Sequence, residues 1–237
     1  MADALFVGAH PDDVELTSGG LAALLAAHGH AVAIADLTRG ELATRGDVAV
    51  REAEARAAAA ALGVASRESL ALPDGGLSRH DRAQLTAVIE LLRRHRPALV
   101  VAPDRDDAHP DHVEASHLVT RACYLAGLAR WPAAGERFRP ARLLYAVYRG
   151  GACASLVVDV TSVWEQRMAA LRAHASQLDP AAGASTYLTS PGFLAEVEAR
   201  SRVFGAGTGG TFAEGYRTRG PLVLGDARAL IAGGTFV

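Results

Sequence analysis

The sequence predicts an α/β fold: a Rossmann-like, mostly parallel sheet with helices on both faces and an α+β elaboration at the C-terminal side. Three observations predict it. Apolar runs alternate four times with alanine- and leucine-rich stretches over residues 1 to about 130, the pattern of a doubly wound sheet. The runs are continuously apolar rather than alternating, as strands covered on both faces are. A length of 237 residues suits one such domain, and neither a linker nor an internal repeat divides it. The core is expected at about 1–130 and the elaboration at about 131–237.

Taken in order, Ala4 to Gly8 reads as the first strand and Leu21 to His28 as a helix. Ala31 to Leu37 is the second strand. Val48 to Leu62 is a helix that Gly63 ends. Leu70 to Leu72 is a short third strand closed by Pro73-Asp74-Gly75-Gly76. Asp81 to His95 forms a helix whose basic end, Arg93-Arg94-His95-Arg96, suits the negative end of the dipole and reads as a solvated helix end. Ala98 to Ala102 is the fourth strand and His112 to Leu128 the next helix. Beyond it, Leu143 to Tyr148 and Leu156 to Val160 read as strands. Val163 to Ser176 and Pro191 to Phe204 read as helices, and Gly205 to Gly210 as a glycine-rich loop.

Composition removes several function classes. The net charge is -2, so no field draws in nucleic acid or an anionic membrane. All 24 basic side chains are arginine, which excludes a Schiff-base or P-loop lysine. No apolar run reaches membrane-spanning length, and the N-terminal residues lack the pattern of a signal peptide; a cytoplasmic protein is expected. Cys123 and Cys153 stand outside metal-ligand spacing and read as buried thiols.

Two stretches carry the chemistry. His10-Pro11-Asp12-Asp13 follows the first strand, and His109-Pro110-Asp111-His112 follows the fourth. In a Rossmann-type strand order these strands are neighbours across the point where the order reverses, so both loops open into one crevice. His10, Asp13 and His112 would give two imidazoles and a carboxylate, a set that zinc uses catalytically; iron or another divalent ion also fits it. Asp12 is then left beside the ion as a proton acceptor. His109 and His112 are three apart at a helix start, so one can bind metal while the other polarises a carbonyl. Asp104, Asp106 and Asp107 read first as a solvated turn and second as outer support of the metal site. Thr17-Ser18-Gly19-Gly20 lacks the G-x-G-x-x-G spacing, and its glycines read as close-packing points.

The paired motifs resemble those of the PIG-L/LmbE-like zinc-dependent N-deacetylases, which remove the acetyl group from N-acetylglucosamine-type sugars. Asp36 to Leu42, Leu72 to Leu77, Ala170 to Gln177, Glu198-Ala199-Arg200 and Ala213 to Tyr216 are similar to the bacillithiol branch. The resemblance implies zinc on His10, Asp13 and His112, Asp12 as general base, His109 against the oxyanion, and Asp111 tuning that histidine. It implies Arg51 against substrate, with Tyr187 and Arg142 as further pocket residues, N-acetylglucosaminyl-malate as substrate, and a homo-oligomer, trimer or hexamer. The sequence departs from the pattern at Val14, where many members carry glutamate, and at Ala108, where the branch often has arginine; the second departure leaves room for another aglycone, of the mycothiol-precursor, antibiotic or oligosaccharide type. A nucleotide-binding Rossmann module would need a glycine-rich turn where His-Pro-Asp-Asp stands. A metal-binding relative without catalysis would lack Asp12 or His109.

Overall fold

The structure, a computed structural model, describes residues 1–148 and 154–221. The first strand, β1 (Ala4–Gly8), is fully buried. Its alternate side chains feed two layers: Leu5 and Val7 face one core cluster, Ala4 and Phe6 the other. This two-sided burial is why the run shows no polar alternation. After it come helices α1 (Asp13–Thr17) and α2 (Gly19–Ala27), strand β2 (Val32–Asp36) and helix α3 (Val48–Leu62). Gly63 caps α3 in the left-handed conformation, φ 71°, which glycine adopts without a Cβ penalty. Strand β3 (Ser66–Ser69), helix α4 (Arg82–His95), strand β4 (Leu99–Pro103) and helix α5 (Pro110–Leu125) complete the doubly wound part. Asp81 caps α4 by accepting from Ala83 and Gln84 N–H. The elaboration supplies β5 (Arg142–Ala146), β6 (Leu156–Asp159), α6 (Trp164–Arg172), α7 (Ala175–Leu178), α8 (Phe193–Gly205) and β7 (Ala213–Thr218).

The sheet order is β3-β2-β1-β4-β5-β7-β6. Strands β1 to β5 pair in parallel, β7 lies antiparallel to β5, and β6 antiparallel to β7. Helices α4 and α5 cover one face; α2, α3 and α6 cover the other.

Three expectations are corrected, and one strand is added that the sequence pattern does not mark. The third strand is the polar edge segment Ser66–Ser69, not Leu70 to Leu72. Ala71 has φ 50° and turns the chain there, while Leu70 and Leu72 still donate to Asp36 and Leu37 carbonyls and pack on the core. The helix expected from Val163 to Ser176 breaks at Ala173-His174 into α6 and α7. Strand β7 runs through the Ala213 to Tyr216 segment, where the alternation is masked because Glu214 is buried. Its carboxylate accepts from Gly20 and Leu21 N–H at 2.7 and 2.8 Å, at the positive end of α2, and meets Arg167 at 3.0 Å. At Gly20 a Cβ would stand 2.8 Å from Glu214 and Val160, so this glycine is a close-packing point. The basic end of α4 is not wholly solvated, since Arg93 is buried and donates to the carbonyls of Ala126, Ala133 and Leu128. Cys123 is partly buried against the core and burial pushes its thiol up to about 12; Cys153 lies outside the described residues. Among the described residues no helix is long and apolar enough to cross a membrane.

Candidate active site

Strands β1 and β4 are hydrogen-bonded neighbours at the point where strand order reverses, so the loops at their carboxyl ends meet in one crevice. The β1 loop turns sharply at Asp12, a buried residue with φ 140°. Such a backbone costs a non-glycine residue about 1–3 kcal/mol, a strain characteristic of functional loops. The β4 loop ends in His109, the N-cap of α5, whose Nδ1 accepts from the Asp111 N–H at 3.2 Å, with Pro110 in the first turn.

The three histidines converge. His10 and His109 rings lie 4.8 Å apart, His109 and His112 4.7 Å, and His10 and His112 5.5 Å. Asp13 is shared between two of them, 3.1 Å from His112 Nε2 and 3.5 Å from His10 Nδ1, and it accepts from the His10 N–H at 2.8 Å. His10 Nε2 also meets Asp74 at 3.2 Å and Asp111 at 3.4 Å. His112 Nδ1 meets Asp107 at 3.1 Å, a carboxylate–histidine contact of the kind that leaves Nε2 for a metal ion.

Two overlapping groups bring potential ligand atoms within 4.8 Å of one another: His10, His109 and His112, and His10, Asp74 and Asp111. Asp13, in the set expected from sequence, stands between the imidazoles of the first group.

The electrostatics of the cluster call for a cation. Burial opposes charging His10, yet hydrogen bonds that the ring donates to Asp111, Asp13 and Asp74 overcome it and hold the ring up to about 12. Burial likewise opposes charging His112, and Asp13 and Asp107 raise it to about 10. Asp13 is held well below the usual carboxylate range, the penalty of burial being overcome by His112 and His10. Asp12 is the exception: burial pushes its carboxyl up, against the attraction of Arg51. His109 is pushed down by burial and by its two sister imidazoles. A buried group of carboxylates that keeps protons on two histidines is matched by a divalent ion in their place.

Around this cluster opens a cavity of about 600 Å³, within the range of small-molecule sites. Arg51 on α3 is buried rather than solvated. Its Nη2 donates to the Pro11 carbonyl at 2.7 Å and lies 3.3 Å from Asp12 Oδ1, while Nη1 donates to the Gly40 carbonyl at 3.2 Å. Tyr187 lines the cavity mouth, its hydroxyl donating to Glu196 and its ring edge-on to Phe193 with centroids 5.3 Å apart. Arg142 is not brought in. It is exposed and pairs with Leu99 at the amino end of β5, the opposite end of the sheet from the crevice. Asp111 acts on both histidines: its carboxylate meets His10 and accepts from the Gly75 N–H (2.7 Å), its backbone N–H donates to His109 Nδ1, and its charge favours the protonated His109 ring against the stronger opposing effects of burial and the other imidazoles.

Sequence reasoning missed several contributors. For Asp107 the second of the two readings, outer support of the site, holds in place of the solvated turn, and Asp104 is buried with Arg217 at 3.1 Å. Asp74, three residues after the chain turns at Ala71, reaches His10. The signal available for both acids was chemical: a ligand histidine takes a carboxylate partner on its other nitrogen. Tyr148, just beyond β5, lines the cavity edge-on to the His112 ring, with centroids 5.8 Å apart; burial, then Asp13 and Asp12, push its phenol up. Arg45 joins the loop after β2 to the elaboration, donating to the carbonyls of Ser176 (2.8 Å), Ala184 (3.0 Å) and Asp179, while Gln177 Nε2 donates back to the Arg45 carbonyl at 2.7 Å. The Ala170 to Gln177 motif thus builds the cavity wall, and its His174, fully buried, sits 3.4 Å from Glu15.

Gly40 has φ 67°, and a Cβ there would fall on the Arg51 guanidinium. Gly40→Ala is expected to destabilise by about 1–3 kcal/mol through overpacking and backbone strain, read as a lowered denaturant midpoint.

Comparison with known proteins agrees with this geometry. Residues 5–123, half of the chain, match the family described as PIG-L, GlcNAc-PI de-N-acetylase. A 1D-myo-inositol 2-acetamido-2-deoxy-alpha-D-glucopyranoside deacetylase of Rhodococcus opacus is 29% identical over 251 residues, covering 78% of this chain and 85% of its own. A 4-oxalmesaconate hydratase of Pseudomonas putida is 32% identical over 192 residues, covering 73% of each. Among solved structures, a conserved protein of Thermus thermophilus is 36% identical with a TM-score of 0.87, covering 94% of this chain and 97% of that one. Two histidine–aspartate loops meeting between β1 and β4, on a sheet that superposes on such structures, carry the conclusion: this chain belongs to the PIG-L family of GlcNAc-PI de-N-acetylases.

Proposed function

We propose that the protein is a metal-dependent N-deacetylase of an N-acetylglucosamine conjugate, with His10, Asp13 and His112 holding a divalent ion, zinc in the first instance. The observation that carries the reading is Asp12, a buried carboxylate beside that cluster that, among the described residues, forms its ion pair with Arg51 and none with the three histidines. When bound, the ion supplies Lewis acidity at the amide carbonyl and makes a water more acidic, toward a pKa of about 7.

The protein's own residues supply the rest. Asp12, whose raised pKa makes it a better base than an exposed carboxylate, takes the proton of the attacking water and returns one to the nitrogen. The C–N bond breaks to give acetate and the free amine. His109, kept neutral by its surroundings, accepts the Asp111 N–H on Nδ1. Its proton therefore sits on Nε2, available to the developing oxyanion.

The aglycone follows from the cavity's charge. Malate, expected from the motif resemblance, brings two carboxylates. Among the described residues lining the cavity, Arg51 is the one arginine, and its guanidinium is taken by Asp12, Pro11 and Gly40. A dicarboxylate would meet Asp12, Asp13, Asp74 and Asp107 with no new counter-charge from that wall. A neutral polyol such as inositol, the aglycone in the name of the Rhodococcus relative, meets no such repulsion, and this favours it over malate. The test is amine release from a panel of N-acetylglucosaminides bearing inositol, malate or a simple alkyl group, before and after chelation. Release that disappears on chelation and returns with zinc, greatest for inositol, is the expected result. No release from any member, or full activity in metal-free protein, overturns the reading.

A further inference from the structure

Tyr148 is the one cavity residue contributed from the carboxyl end of β5's chain, and the mechanism above leaves it unused. Its position is fixed from two sides. Arg200 donates to its backbone carbonyl and lays its guanidinium 5.5 Å from the ring centroid. The Tyr148 ring meets that of His112 edge-on, with centroids 5.8 Å apart. A second Arg200 nitrogen donates to the Leu16 carbonyl at 2.7 Å, which anchors this support in the last turn of α1. The phenol lies in the wall between the large cavity and a small one of about 10 Å³ behind His112. Its hydroxyl has no hydrogen-bond partner among the described residues, although the ring is largely sequestered. A held, half-buried donor with nothing to bond is costly unless something in the cavity accepts from it.

Placement decides what that something is. The cavity's mouth is marked by Leu42 and Tyr187, exposed to 70% and 46%. Tyr148 stands at the other end, beside His112 and among the acids of the β1 loop. A substrate placed with its acetamide at that cluster presents one strong acceptor there, the carbonyl oxygen. The sugar hydroxyls and aglycone lie toward the mouth. His109 and Tyr148 both touch the His112 ring, His109 at 4.7 Å between centroids. Both donors therefore border the same small volume.

We propose that the Tyr148 hydroxyl donates a hydrogen bond to the acetamido oxygen of the substrate as it becomes the oxyanion, sharing that role with His109, and that Arg200 is the positioning residue that holds the phenol there. The inference rests on the deacetylase reading. A phenol serves well, because it is neutral and protonated at working pH and its rigid ring fixes the donor. Charge builds on the acceptor only as the carbonyl carbon turns tetrahedral, so the bond strengthens in the transition state and acts on kcat rather than KM.

The experiment uses the zinc-loaded protein and Tyr148→Phe, with methyl N-acetylglucosaminide as substrate. Phenylalanine removes a hydroxyl that bonds to no described residue, so the melting temperature and zinc content are expected to stay those of the parent. kcat is expected to fall about 10²–10³-fold, the usual effect of one lost oxyanion donor, with KM almost unchanged. Binding of the methylphosphonamidate analogue, which mimics the tetrahedral centre, is expected to weaken by the same factor, while binding of the amine product does not change. Unchanged kinetics in Tyr148→Phe, with an active parent, would overturn the proposal and leave the deacetylase reading standing. A raised KM with kcat retained would also overturn it, placing the phenol on the sugar. An inactive parent overturns both. Arg200→Gln is expected to share the loss in kcat, and losing it without any change in analogue binding would remove Arg200 from the account.

Discussion

Replacing Asp12 by asparagine is expected to lower kcat about 10²–10⁴-fold, the usual contribution of a positioned acid–base group, while zinc content stays at the parent level. The two halves of this outcome have separate causes. Among the described residues Asp12 forms no ion pair with His10 or His112 and pairs instead with Arg51, so its charge is not needed to hold the ion. Its side chain is nevertheless the free carboxylate at the cluster, so proton transfer is lost with it. The sign of the stability effect follows from its pKa. Burial raises the Asp12 carboxyl above its unfolded value. For an acid, a raised folded-state pKa means the folded state binds the proton more tightly than the unfolded one. The group then opposes folding above the unfolded pKa and ceases to do so as pH falls below it. Removing the charge is therefore expected to leave the melting temperature level or slightly higher at neutral pH, with the loss of Arg51's partner working against the gain. The strained φ of 140° is tolerated by asparagine no worse than by aspartate. The same pKa sets the acid limb of the parent's pH–activity profile above the range of an ordinary carboxylate, and asparagine abolishes that limb. Loss of zinc in Asp12→Asn would show that Asp12 and Asp13 have exchanged roles.

The part of the site that sequence reveals is the part written into single loops. His10 to Asp13 and His109 to His112 each follow an apolar run, and the doubly wound order alone brings those runs side by side. Pro110, Gly63 and Asp81 are equally legible, because a helix end imposes local chemistry on its own residues. What the sequence conceals depends on lateral placement. Arg142 begins a strand whose other end reaches the crevice, and nothing in the local pattern says which end faces the ligand. Asp74 and Asp107 resemble solvated turn acids until a histidine from another loop arrives against each. Strand β7 hides because Glu214, buried beneath the N–H groups of α2 and beside Arg167, interrupts the apolar pattern that marks the other central strands. In each case the deciding partner lies far away in sequence, as with Arg45 and its carbonyls in the elaboration.

Uptake of zinc by the stripped protein is expected to release about two protons near neutral pH. His10 and His112, held up to about 12 and about 10 by the carboxylates around them, both carry protons in the metal-free protein. An imidazole must lose its proton to become a ligand, so each bound ion displaces both. Apparent affinity should then rise about a hundredfold per pH unit from neutrality toward about pH 10, where His112 begins to lose its proton unaided. The stability of the metal-free protein carries the matching sign. A histidine whose folded-state pKa is raised contributes stability fully below its unfolded value, near 6.5, and loses it as pH climbs through the folded values, about 10 for His112 and about 12 for His10. The stripped protein should therefore weaken from pH 7 to pH 10. The loaded protein should not, because the ion replaces the protons as the counter-charge to Asp13, Asp74, Asp107 and Asp111. Binding at a hundred times the dissociation constant would add about 2.7 kcal/mol. Calorimetry in buffers of different ionisation enthalpy counts the protons, and thermal melts across the pH range follow the stability. His112→Ala is expected to abolish tight uptake and about half of the proton release together. Zinc binding that releases no protons, or that survives His112→Ala unchanged, would move the ion away from His10 and His112 to another part of the acidic crevice, where Asp74 and Asp111 stand within 4.8 Å of a His10 nitrogen.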